Sequence, residues 1–181
     1  CDGRGRPRPE LSVHVLMLFL ANRDRYTQRT LHREIHTRLT KRDGCENVRY
    51  RPSRRRPRYV LADVDPSIFF GETHEISQAR LEIRFWYPTG VEYEYYRLNW
   101  VEPERNLMLG FHQDGDHGNL GPCHIQLDYE DEPIDRHEAE FLDAHPLAVL
   151  DERLRQLPTA LDSVSWEGAQ PSLPAWSASA E

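Results

Sequence analysis

Residues 79–87 read Ala-Arg-Leu-Glu-Ile-Arg-Phe-Trp-Tyr, and this stretch decides the fold class. Apolar and charged residues alternate along it, which is typical of a β-strand with one buried face and one solvated face. The alternation predicts that Leu81, Ile83, Phe85 and Tyr87 share the buried face. A sheet that is built from such strands must be covered on its apolar side by another layer of structure.

Three more strands are predicted downstream, at residues 91–100, 107–112 and 123–129. The connections between them are short and contain turn residues, which favours a four-stranded antiparallel meander. A leucine stripe that begins after Pro146 predicts a helix that ends at Pro158 and covers one face of the sheet. The predicted core consists of Leu81, Ile83, Phe85, Leu109, Phe111, Ile125, Leu127, Leu150 and Leu154.

The N-terminal part has a different pattern. Residues 11–21 are apolar enough for a helix, and Thr27 is a suitable N-cap for a second helix with a stripe of Leu31, Ile35 and Leu39. Two β-prone runs follow, joined by a Pro-bounded arginine tip at residues 53–56, and they predict a hairpin. Helices followed by a basic hairpin resemble a winged helix, although a basic hairpin packed on a helix pair is the alternative.

Together these patterns predict an α+β protein. An N-terminal helical unit with a basic β-hairpin precedes a four-stranded antiparallel meander that a C-terminal helix covers. The predicted organisation has four parts, which are a flexible lead, a basic domain, a sheet domain and a disordered tail, at residues 1–10, 11–65, 66–158 and 159–181.

Charge divides the chain unevenly. Residues 1–60 contain 16 Arg and Lys against six Asp and Glu, a net of +10, and the remainder carries seven against 24, a net of −17, which returns the total of −7. A basic region of this kind favours nucleic-acid binding, because arginines neutralise backbone phosphates. Docking of the basic part on the acidic part of the same chain is the alternative. The candidate nucleic-acid-binding residues are Arg49, Arg51, Arg54, Arg55, Arg56 and Arg58.

Cysteine usage and hydropathy bear on location. The three cysteines, Cys1, Cys45 and Cys123, are far apart in the sequence and form no disulfide framework, which favours a reducing cytoplasm. No segment reaches the roughly 20 apolar residues that a membrane span needs. Lys41 is the only lysine, a bias that indicates either a GC-rich, salt-adapted source or codon usage alone.

Residues 112–124 hold the most reactive side chains in the chain, namely three histidines, two aspartates and a cysteine on an expected hairpin loop. One interpretation is a site for zinc or another divalent ion, with His112, His117 and His124 joined by Asp114 or Cys123. A second is metal-free general acid–base chemistry on RNA. A third is a polar turn whose histidines bind the loop backbone.

The arrangement resembles the TumE-family toxins of archaeal and bacterial toxin–antitoxin pairs. Residues 91–100 are similar to the tyrosine-rich strand of that family, and residues 110–114 stand where it has Arg-aromatic-Asp-Asn. Asp116 and His117 correspond to its Pro-His-His element, and His124 corresponds to the first histidine of its His-x-His strand. The Lys-poor composition also resembles uncharacterised haloarchaeal relatives. The resemblance implies RNA cleavage and a small antitoxin as partner.

Two functions are therefore predicted. The leading one is a toxin-like, metal-independent endoribonuclease, in which His112 and His124 are base and acid and His117 stabilises charge, while Asp114 or Asp116 orients a histidine. It needs no cofactor, although a divalent metal at the loop is left open. The rival is a non-enzymatic DNA-binding regulator whose acidic sheet domain binds a partner or forms a homodimer.

Overall fold

The structure is a computed structural model that describes residues 28–86, 95–114, 120–142 and 144–176. Within these residues, seven strands form one antiparallel sheet in which each strand pairs with the next along the chain. The strands are β1 (Cys45–Pro52), β2 (Pro57–Val64), β3 (Ala79–Trp86), β4 (Tyr95–Glu102), β5 (Leu107–Gln113), β6 (Cys123–Tyr129) and β7 (Glu132–Glu138).

Three α-helices accompany the sheet in the described part of the chain, namely α1 (Gln28–Thr40), α2 (Pro66–Phe70) and α3 (Pro146–Asp162). A short 3-10 helix, Pro103–Arg105, follows β4. The side chains of Leu31, Ile35 and Leu39 on α1 are fully buried, as their spacing predicts. They share one hydrophobic core with the leucines of α3 and with alternate residues of β2 to β6. Both long helices therefore cover the same face of the sheet.

The predicted four-stranded meander next to a separate helical unit is wrong. β2 pairs with β3 across residues 60–64 and 79–83, so the basic hairpin forms the first two strands of the same sheet. Val60, Leu61 and Ala62 are consecutive and all buried, which is the pattern of an inner strand and not of a projecting wing. The helix predicted at residues 11–21 lies outside the described residues.

A second error concerns the segment after β6. The sequence predicts no strand between residue 129 and the helix after Pro146, but β7 begins at Glu132 and pairs with β6 as the last strand of the sheet. Its sequence is polar because it is an edge strand with mostly exposed or half-buried side chains. An edge strand buries too little surface to show apolar alternation.

The disordered tail predicted from residue 159 is also incorrect for the residues that the structure describes. α3 continues through Pro158 to Asp162, and a short hairpin of β8 (Ser165–Glu167) and β9 (Gln170–Ser172) follows. Leu173 is fully buried in the core, and its carbonyl accepts a hydrogen bond from His137. Leu173 therefore packs in the core, although the composition of this segment is typical of a disordered tail.

The nine predicted core residues are all buried, which confirms the strand parity and the leucine stripe. Trp100 is also fully buried, and its indole nitrogen donates a hydrogen bond to the buried carboxylate of Glu102 at 3.0 Å. Cys45 and Cys123 are free thiols. No helix among the described residues is long and apolar enough to cross a membrane.

Candidate functional sites

The predicted histidines lie on the face of the sheet that the two long helices do not cover. His112 on β5 and His124 on β6 are direct cross-strand partners, and the centroids of their rings lie 5.2 Å apart at an angle of 81°. Both point away from the helices, because Phe111 and Ile125 beside them belong to the core. Strand parity in the sequence therefore locates this pair correctly.

Asp114 follows β5 directly and completes a three-residue cluster with the two histidines. Its Oδ1 atom lies 4.0 Å from Nδ1 of His124, and its Oδ2 atom accepts a hydrogen bond from Arg97 at 3.2 Å. One nitrogen of each histidine and one carboxylate oxygen all lie within 4.8 Å of one another. The other predicted site residues of the loop, Asp116 and His117, lie outside the described residues.

Two residues that sequence analysis missed fix the orientation of His112. Its Nε2 atom and Oδ1 of Asn99 are 2.8 Å apart, which joins β5 to β4 through a side-chain hydrogen bond. Gly110 lies directly beneath this bond, since a Cβ there would clash with Asn99 Oδ1 and would lie 2.7 Å from His112 Nε2. A glycine inside an otherwise apolar strand is the sequence signal that points to such a close approach.

The cluster is buried although it lies on the polar face. His112 is 3% exposed and His124 is 1% exposed. Burial, with smaller contributions from Arg97 and from His124 when His124 is protonated, lowers the pKa of His112 to about 3. The His112 imidazole is therefore neutral at neutral pH, which is unsuitable for a general acid.

Cys123 does not belong to this cluster. Its side chain lies in the hydrophobic core on the opposite face from His124. Burial raises the pKa of its thiol, with opposing contributions from Arg153 and Tyr96. The alternative in which Cys123 joins the histidines as a metal ligand therefore does not fit the fold.

The predicted nucleic-acid-binding arginines separate into two groups. Arg49 makes a bidentate ion pair with Asp63 of the neighbouring strand, with both N–O distances at 2.9 Å. The remaining five are exposed, and none of them has an ion-pair partner among the described residues. These five are Arg51, Arg54, Arg55, Arg56 and Arg58. Arg49 thus stabilises the hairpin, while the other five remain available to a ligand.

A cleft of about 390 Å³ lies between α1 and the hairpin tip. Three arginines from the two elements, an aromatic ring and two smaller residues line it, and they are Arg29, Arg33, Arg54, Tyr50, Thr30 and Pro57. We call this the arginine cleft. Arg29 and Arg33 were not among the predicted binding residues, because their convergence with Arg54 depends on how α1 packs on the hairpin.

Tyr50 is held in the arginine cleft by a ring stack. Its ring lies 4.6 Å from the ring of His36 at an interplanar angle of 14°. Nε2 of His36 is in turn 3.1 Å from the carbonyl oxygen of Val48. With the backbone acceptor at Nε2, His36 keeps a fixed orientation under the tyrosine. The pair forms a flat aromatic platform beside the cationic side chains.

Comparison with known proteins yields no match for this chain among protein-family models, curated proteins or solved structures.

Proposed function

We propose that the protein binds single-stranded nucleic acid in the arginine cleft. The observation that carries the proposal is the convergence of Arg29, Arg33 and Arg54 beside the Tyr50 ring. Guanidinium groups pair with phosphate oxygens in a bidentate manner, and an aromatic ring stacks on an unpaired base. Grooves that bind single strands combine these two features.

The form of the cleft favours a single strand over a duplex. Bases in a duplex stack on one another and present only their edges in the grooves, so a tyrosine at the side of a cleft has no base face to contact. The volume of about 390 Å³ is in the lower part of the range for small-ligand sites, roughly 300–1,000 Å³. One nucleotide unit fits such a space better than a double helix does.

The hairpin tip extends the positive surface beyond the cleft. Arg51, Arg55 and Arg56 are exposed around it and have no ion-pair partners within the described part of the chain. The alternative of self-docking requires the basic part to pair with the acidic part. Two such ion pairs occur among the described residues, Arg38 with Asp151 and Arg49 with Asp63, and neither involves an arginine of the cleft.

The proposal concerns binding and not cleavage. Burial of His112 and His124, together with the low pKa of His112, speaks against a histidine pair that exchanges protons with RNA. RNA cleavage, an antitoxin partner and a homodimer stay predictions of the sequence. A cytoplasmic location, where RNA is accessible, belongs to the proposal.

Fluorescence anisotropy with a labelled oligonucleotide tests it, using one sequence as single-stranded RNA, single-stranded DNA and duplex. We expect both single strands to bind more tightly than the duplex, with affinity falling as salt rises. Each phosphate contact that is lost in Arg29→Ala, Arg33→Ala or Arg54→Ala should reduce the salt slope by about 0.7. Arg155→Ala is the matched control, because Arg155 is exposed on α3 and paired with Glu152.

Tyr50 gives a second arm to the same experiment. Tyr50→Phe keeps the stack on His36 and should bind as the natural protein does. Tyr50→Leu removes the platform and should weaken binding by about 1–3 kcal/mol, the usual contribution of one stacked base. Preference for the duplex, or an equal loss of affinity in Arg155→Ala and the cleft variants, would contradict the proposal.

A further inference from the structure

We propose that His112, Asp114 and His124 bind one divalent transition-metal ion. The cluster offers two imidazole nitrogens and one carboxylate oxygen within 4.8 Å of one another. This inference does not depend on nucleic-acid binding, since it concerns the face of the sheet that the two long helices do not cover and not the arginine cleft.

The donor set selects the class of metal. Imidazole suits zinc, copper, iron and nickel, whereas magnesium and calcium take oxygen ligands almost exclusively. Two histidines and one carboxylate are a common ligand set for zinc and for iron(II), with further positions left for water or another ligand. We therefore expect Zn²⁺ or Co²⁺ to bind and Mg²⁺ not to compete.

The distances need only a small adjustment. Metal–nitrogen and metal–oxygen bonds of about 2.0–2.2 Å place two ligands of a tetrahedral ion roughly 3.3 Å apart. Asp114 Oδ1 and His124 Nδ1 are 4.0 Å apart, which is too far for a hydrogen bond but close to that spacing. The histidines are fixed by cross-strand pairing, and Asp114 follows the end of β5, so the carboxylate can make the adjustment.

Outer contacts orient both ends of the cluster. Oδ1 of Asn99 accepts a hydrogen bond from Nε2–H of His112, so Nδ1 keeps the lone pair that a metal requires. Arg97 binds Oδ2 of Asp114 and leaves Oδ1 on the side of His124. Metal-binding histidines and carboxylates usually have such second partners, which set the tautomer and the orientation.

The charges around the cluster are balanced. Arg97 and Arg136 are the nearby cations, and both are engaged, by Asp114 and by Gln126 respectively. Glu138 on β7 is the cross-strand partner of His124 and adds a negative charge at the same edge. A divalent ion at this position therefore meets carboxylates as well as guanidinium groups.

Metal binding is tested on the full chain after dialysis against a chelator. Titration with Co²⁺, followed by its visible absorption bands, and with Zn²⁺, followed by calorimetry, should give one equivalent per chain. Zn²⁺ should also raise the melting temperature, whereas Mg²⁺ at the same concentration should not. His124→Ala and Asp114→Asn should each weaken Zn²⁺ binding at least tenfold. His74→Ala is the control, since His74 lies outside the cluster.

Asn99→Ala tests whether the hydrogen bond between His112 and Asn99 orients His112 for metal binding. Loss of an outer partner should weaken the metal by about 10- to 100-fold while His112 itself is retained. If a buried histidine variant fails to fold, the folded Asp114→Asn and Asn99→Ala variants decide the question. Absence of stoichiometric Zn²⁺ or Co²⁺ binding to the natural chain would overturn the proposal. Equal affinity in the natural chain and in Asp114→Asn would also overturn it.

Discussion

The arginine cleft and the histidine–aspartate cluster use opposite physical strategies. The cleft lies at the edge of the sheet, where Arg29, Arg33 and Arg54 are exposed to water, while the cluster lies between β5 and β6 and is almost fully buried. Exposed charges are screened by salt, and each one adds a similar contribution to the affinity for nucleic acid. Loss of one arginine therefore lowers that affinity only modestly. Buried groups act by geometry, and one misplaced atom affects the whole site.

The same difference should appear in folding stability. The three arginines of the cleft keep their hydration, so their removal should leave the free energy of unfolding nearly unchanged. Residues in and beneath the cluster are part of the packed interior of the sheet. Stability measurements across the two regions therefore test the comparison directly.

The largest effect is expected for Phe111, whose side chain is buried on the core face next to His112. Phe111→Ala should reduce the free energy of unfolding by about 3–5 kcal/mol, because it leaves a cavity under α3 and removes the contact with the Arg153 guanidinium at 4.9 Å. Urea unfolding followed by circular dichroism measures the loss. Arg58→Ala, on the exposed hairpin, is the control. A loss below about 1 kcal/mol would contradict the placement of Phe111 in the core.

A pH-dependent effect is expected from His32, which is fully buried on α1 and has no hydrogen-bond partner for either ring nitrogen among the described residues. Burial lowers its pKa from 6.5 to about 4, with a further contribution from Arg84. The unfolded chain therefore takes up the proton first as pH falls. The stability that His32 contributes is complete above pH 6.5 and is lost as pH decreases to about 4, an effect of roughly 3 kcal/mol.

His32→Leu isolates this contribution. The variant should lose less stability than the natural chain between pH 6.5 and pH 4, and the two should differ little in slope above pH 7. Urea unfolding at a series of pH values provides the comparison. Parallel pH profiles for the two chains would show that His32 does not titrate in this way.

How far the sequence could predict these features depends on where the information lies. Strands β3 to β6 place alternate apolar residues on the core face, so period-two alternation predicts them and also places His112 and His124 together on the other face. The edge strands β1 and β7 bury too little to show that pattern. The inner strand β2 buries consecutive residues, which is compatible with several structures. The topology was therefore missed, although each of the nine residues predicted for the core is buried.

The supporting residues of the sites could not be predicted from spacing. Asn99 and Gly110 meet only because β4 and β5 pair in one register, where they are direct partners. Arg153 appears polar in the sequence of α3, yet it is fully buried and donates to Tyr96 Oη at 2.8 Å and to Gln156 at 2.6 Å. Such contacts depend on tertiary packing, and the composition of the sequence does not indicate which residues become neighbours in the fold.

A smaller effect is expected from Gly110. In Gly110→Ala the new methyl group should displace the side chains of Asn99 and His112 and break their hydrogen bond, at a cost of about 1–2 kcal/mol. A double-mutant cycle with Asn99→Ala measures the coupling, because the bond is already absent in that background. We expect the alanine at position 110 to cost less stability there. If Gly110→Ala loses the same free energy of unfolding with and without Asn99→Ala, then Gly110 does not act through this hydrogen bond.

The smallest effect on stability is expected at the hairpin tip, where the comparison is sharpest. Arg55 and Arg56 are exposed between β1 and β2 and have no ion-pair partners among the described residues. The double change to alanine should alter the free energy of unfolding by less than about 0.5 kcal/mol. It should nevertheless flatten the salt dependence of single-strand binding by about 0.7 for each phosphate contact that is lost. A stability loss at or above that of Gly110→Ala would mean that the tip is held by packing. An unchanged salt slope would confine nucleic-acid binding to the arginine cleft, because its three arginines would then supply all the phosphate contacts.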